Sequence, residues 1–125
     1  MSENSEPFEV YPEHLLPDGF RYPAKYLRLA ATGDYPDIYP WWFISAGSEM
    51  GKLSHALRMR DGSALIAFAK VDNDDNDIAC FDGTDTSGNP NVIMKKSDPD
   101  SVGRDYKDFH EWFEAALAYK QRLRG

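Results

Sequence analysis

The sequence predicts a small α+β domain in which a twisted antiparallel meander sheet packs against helices. Three strand-like apolar runs, SALIAFAKV, DIACFD and NVIMKK, follow one another with only turn-rich connections between them. A strongly amphipathic run, DFHEWFEAALAYKQRLRG, closes the chain. At 125 residues, 42% hydrophobic and 28% charged, the chain fits a single domain that buries a core without disulfide or metal support.

Residues 1–6 are polar and are expected to be disordered, which leaves 7–125 as the domain. In LLPDGFRYPAKYLRLAATGD, Ala24 to Thr32 suits a short helix that begins after Pro23 and stops at Gly33. Pro36 and Pro40 impose an extended or turning path. WWFISAG, Trp41 to Gly47, is aromatic and β-branched enough to read as a strand. Trp41 and Trp42 then face opposite sides: one belongs to the core, and the other is an interface anchor or lies beneath the neighbouring segment.

EMGKLSHALRMRDGS is ambiguous. Leu53, Ala56, Leu57 and Arg60 have helical spacing, but Gly51 and the Asp61–Gly62 pair are expected to keep any helix short; the alternative is an irregular excursion over one sheet edge. Ser63 to Val71 is near-continuously apolar, as expected of a strand covered on both faces. In DIACFD, Ile78 and Cys80 point to one face, and Ala79 and Phe81 to the other. In the closing helix Phe109, Trp112, Phe113, Ala116, Leu117 and Lys120 form one stripe, with Asp108 as N-cap and Glu111 three residues on.

No apolar run approaches the roughly 20 residues that cross a membrane, and MSENSEPFEV lacks the basic and apolar regions of a signal peptide. The single cysteine, Cys80, excludes an internal disulfide framework. A cytoplasmic protein is expected. Net charge is −7, from 14 basic and 21 acidic residues, which argues against direct nucleic-acid binding. It favours encounter with a basic partner, or serves solubility alone.

The acidic stretch VDNDDNDIACFDG poses a choice between a cation loop and a turn. Counted as a calcium loop from Asp72, it places Asp72, Asp74 and Asn76 at positions one, three and five. It then has Asp77 where glycine is needed and Gly83 where a bidentate glutamate is needed. Asp and Asn also close tight turns, so a hairpin between Val71 and Ile78 is the expected structure.

Signals for chemistry are sparse. His14, His55 and His110 are isolated in sequence, and no zinc, phosphate-loop or nucleophile-elbow spacing occurs. Cys80 reads as a small buried hydrophobe, and His110, with Asp108 and Glu111, as part of a polar helix face. No catalytic residue, cofactor or metal ligand is expected. A hydrolase built on Cys80 or His110 is the minor alternative.

The string ALIAFAKVDNDDNDIACFDGTDTSGNPNVIM, followed by DYKDFHEWFEAAL, resembles the SUKH superfamily, which includes fungal cell-wall-assembly regulators and bacterial immunity proteins. The matching features are the strand at Leu65–Ala69, the acidic turn Asp72–Asp77, the strand Ile78–Asp82, the strand Gly88–Ile93 and the helix start Asp108–Phe113. LLPDGF, Leu15 to Phe20, resembles the family's opening motif, while the longer helix and N-G-G-like turn that usually follow are not evident.

The resemblance implies a SUKH-like domain that acts by binding protein rather than by catalysis, in many bacterial members by neutralising a toxin, often a nuclease. The expected function is therefore an acidic binding module that occludes a basic toxin domain. The contacts expected are Asp72, Asp74, Asp75, Asp77, Asp82, Asp85 and one of Trp41 and Trp42. The alternatives are a regulator or scaffold with no toxin partner, or a small-ligand or calcium-binding protein that uses the Asp72–Asp77 turn.

Overall fold

A computed structural model describes residues 6–72, 77–95 and 105–124. In chain order the elements are a 3-10 turn Glu13–Leu15, α1 Ala24–Thr32, β1 Trp41–Phe43, α2 Glu49–Asp61, β2 Leu65–Val71, β3 Ile78–Asp82, β4 Val92–Lys95 and α3 Phe109–Arg124. The strands form a four-stranded antiparallel sheet in the order β1-β2-β3-β4, an uninterrupted meander.

Register divides the side chains cleanly, because residues paired across an antiparallel ladder share a face. One face carries Phe43, Ala69, Ala79 and Met94 as one cross-strand row, and Ile66, Phe81 and Val92 as the next. The other carries Trp42, Lys70, Ile78 and Lys95, then Ala67, Cys80 and Ile93. A bulge between Ala67 and Ala69 turns both Phe68 and Ala69 onto the first face, and both are fully buried.

Helices α1 and α3 cover the first face. Phe68 stacks on Phe81 at 4.1 Å and meets Trp112 edge-on at 4.9 Å; Tyr26 of α1 lies 5.1 Å from Phe81 and 5.5 Å from Phe109. Truncating Phe68 to alanine would remove one of the largest fully buried side chains, a loss of about 3–5 kcal/mol. Helix α2 packs on the second face, where Met50, Ser54 and Leu57 lie over Leu65, Ala67 and Cys80. Both faces of β2 are thus covered, which explains its continuous apolar sequence.

Helix α1 has the expected bounds: it starts after Pro23 and ends at Gly33, whose φ of 69° supplies the left-handed cap. Helix α3 is capped as its sequence predicts. The Glu111 amide donates to Asp108 Oδ1 at 2.9 Å, and Glu111 Oε1 reaches back to the Lys107 amide.

Two expectations need correction. The strand over Trp41–Gly47 is only three residues long, because beyond Phe43 the chain turns to an N-terminal partner: Ala46 N donates to Glu9 O, and Glu9 N to Ser45 Oγ. The short helix or irregular excursion after it is a 13-residue helix, capped at its start by Ser48, whose side chain accepts from the Gly51 amide. Gly51 is not a breaker here. A Cβ at that position would stand 2.1 Å from Ser45 O and 2.7 Å from Ala46 O, so glycine permits the first turn of α2 to press against the end of β1.

Packing at the two outer strands differs. Phe8 stacks on Phe43 at 4.9 Å beside β1, and Tyr106 exchanges two backbone hydrogen bonds with Val92 on the outer side of β4.

Candidate functional site

The exposed aromatic residues identify one end of the sheet. Trp41 is half-buried and meets Trp112 edge-on at 5.3 Å, so it belongs to the core side. Trp42, on the opposite face, remains 40% exposed, and Tyr39, two residues before Trp41, is 60% exposed. The loop that carries them is firmly held. Asp37 Oδ1 accepts from the Tyr39 amide at 3.0 Å, and Trp41 N donates to Ile38 O at 2.9 Å. Lys120 of α3 donates to Asp37 O at 2.7 Å. Ile38 is buried and anchors the segment.

The acidic connection joins the same end. Asp72 is exposed, and its amide donates to Pro40 O at 2.7 Å, which sets the start of the acidic turn beside Tyr39–Trp42. Trp42 is paired with Lys70, two residues before Asp72. An exposed indole, an exposed phenol and a carboxylate are thus presented from braced backbone.

The remaining acidic candidates do not converge there. Asp77 is buried, and its carbonyl accepts from Val71 N across the hairpin. Asp82 ends β3 and Asp85 lies just beyond it, roughly 15 Å away at the rise of a strand. Their carboxylates are engaged locally: Asp82 Oδ1 accepts from the Thr84 amide and hydroxyl, and Asp85 Oδ1 from the Ser87 amide and hydroxyl. Those Ser87 bonds hold the Asp85 carboxyl below its usual range. Asp74 and Asp75 lie outside the described residues.

Cys80 is buried against α2, and burial pushes its thiol up to about 12, so it carries no thiolate at neutral pH. His110 is exposed, with Nδ1 3.2 Å from Lys25 Nζ, while the Asp108 carboxylate is occupied by the helix cap. Among the described residues no three His, Cys, Asp or Glu side chains cluster to hold a metal ion.

One constellation was not legible in sequence. The 3-10 turn and the end of α2 enclose an open cleft of about 490 Å³ to which His14, Asp18, His55, Arg58 and Ser63 all contribute. Arg58 is only 9% exposed; its Nη2 donates to Leu15 O and lies 3.3 Å from His55 Nδ1. Only the three-residue spacing of His55 and Arg58 on one helix hinted at this; the 3-10 turn reaches them through tertiary packing.

No protein-family model, curated protein or solved structure matches this chain.

Proposed function

We propose that this protein is a non-enzymatic, acidic binding module that captures a basic protein partner through the surface formed by Tyr39, Trp42 and Asp72. Its most specific form is an immunity-type role, the occlusion of a toxin's active surface. The observation that carries this reading is the hydrogen bond from Asp72 N to Pro40 O, which brings Asp72 to the braced segment that bears the exposed aromatic residues. Aromatic side chains on rigid backbone bury large area at little entropic cost, which suits them as anchors. The net charge of −7 would speed the approach of a basic partner and make capture sensitive to salt.

Co-purification with the product of the adjacent gene tests the reading. The expected result is a complex whose association weakens as salt rises, and which Trp42→Ala impairs by more than about tenfold, the loss of a hot-spot residue. Absence of a complex, together with no protection against that product's toxicity, would refute the immunity role.

A further inference from the structure

The cleft between the 3-10 turn and α2 presents a cation whose hydrogen-bonding capacity the fold uses only in part. Arg58 is nine-tenths buried, yet among the described residues its guanidinium meets no carboxylate. Its Nη2 serves Leu15 O and His55 Nδ1, while Nε and Nη1 have no acceptor among the described residues. A guanidinium has five donors and no acceptor, and since no buried side-chain nitrogen or oxygen lacks a partner among the described residues, Nε and Nη1 open onto solvent and remain available to a ligand. The bond to Leu15 O fastens the 3-10 turn to α2 and uses only a fraction of that capacity.

The neighbouring groups are donors as well. The guanidinium only donates, so the contact at His55 Nδ1 is a hydrogen bond in the tautomer that carries the ring proton on Nε2, where it can donate to a ligand. Ser63 Oγ accepts from Leu65 N at 3.0 Å, which leaves its hydroxyl hydrogen to donate elsewhere. His14 is exposed on the opposing wall, and its side chain makes no hydrogen bond, ion pair or ring contact with another described residue. Leu15, Leu16 and Met59 supply apolar lining, and Asp18 is the carboxylate of the wall. The volume of about 490 Å³ lies in the range of small-ligand sites.

We propose that this cleft binds a small organic carboxylate, its anionic group held by Arg58 with His55, Ser63 and His14 and its apolar body resting on Leu15, Leu16 and Met59. A planar carboxylate matches the guanidinium fork, and Asp18 opposes polyanions such as polyphosphates. The site lies apart from Tyr39, Trp42 and Asp72, so it stands or falls independently of the protein-binding role.

The test is a heteronuclear NMR titration of the full chain with benzoate, with benzamide as its uncharged counterpart and inorganic phosphate as a third arm. Saturable shifts of the His14 and His55 ring signals with benzoate, at a Kd of about 1 mM or below, and none with benzamide, are expected. Arg58→Gln should weaken binding by about tenfold or more, the value of a charge-assisted bond. If Arg58→Gln does not fold, His14→Ala decides the matter, because an exposed side chain is dispensable for folding: it should weaken benzoate severalfold with an unchanged Tm. No saturable shift with benzoate, equal binding of benzamide, tighter binding of phosphate, or indifference to His14→Ala would each overturn the proposal.

Discussion

Replacing Gly51 with alanine separates helix propensity from packing. In an isolated helix the change would stabilise by about 1 kcal/mol, because alanine is the better helix former. In this fold the new Cβ would stand 2.1 Å from Ser45 O and 2.7 Å from Ala46 O, both backbone atoms that no rotamer change can clear. Relief requires a shift of about 1 Å in α2 or in the Ser45–Ala46 backbone, on the scale of an overpacked core, which costs about 1–3 kcal/mol. The same backbone accepts from Ser48 N and Ser48 Oγ at Ser45 O, and Tyr11 donates its hydroxyl to Gly51 O at 2.5 Å. Disturbing two such bonds adds about 1 kcal/mol each. The net expectation is destabilisation of about 2–4 kcal/mol, read as a lowered midpoint in urea unfolding with an unchanged m-value. A variant as stable as the native chain, or more so, would show that α2 does not press on the end of β1 as described.

Three further outcomes follow from the same geometry. Trp41→Ala should cost about 2–4 kcal/mol through its lost contact with Trp112, and Trp42→Ala clearly less; equal losses in thermal unfolding would contradict the facing of β1. Asp108→Ala should cost about 1 kcal/mol at neutral pH by loss of the helix cap. The cap holds the Asp108 carboxyl below its ordinary value, so this stability is present above the unfolded value near 3.8 and is lost as pH falls through the folded one; a penalty that persists in full at low pH would exclude the mechanism. Burial raises the Tyr26 and Tyr22 hydroxyls and the Cys80 thiol, so the unfolded chain releases these protons first. Stability should hold through neutral pH and decline as pH rises past about 9 to 10, and native Cys80 should resist a thiol reagent until the chain unfolds; rapid modification of the folded protein would show that the thiol is open.

The parts of the fold legible in sequence are those fixed by local chemistry. Pro23 and Gly33 bracket α1, the spacing from Phe109 to Ala116 fixes the buried stripe of α3, and the alternation Ile78, Ala79, Cys80, Phe81 gives β3 its faces. The middle of the chain was illegible because long-range contacts decide it. Gly51 is tolerated through a close approach to Ser45, and β1 ends early because Ala46 and Ser45 bond to Glu9. The site divides in the same way. Composition flagged the tryptophan pair and the acidic turn, but only register shows that Trp42 is the exposed member, and only the loop bonds show that Asp82 and Asp85 are spent on their own turns. Three donors from two distant segments, His14, His55 and Arg58, are adjacent only after the 3-10 turn docks on α2.

Hydrogen exchange on the complex with the adjacent gene's product tests the central claim most directly. New protection is expected at the amides of Tyr39, Trp41, Trp42 and Asp72, with the Asp82–Ser87 loop unchanged. Protection confined to that loop or to the outer surface of α3, with Tyr39 to Trp42 exchanging as in the free protein, would contradict it.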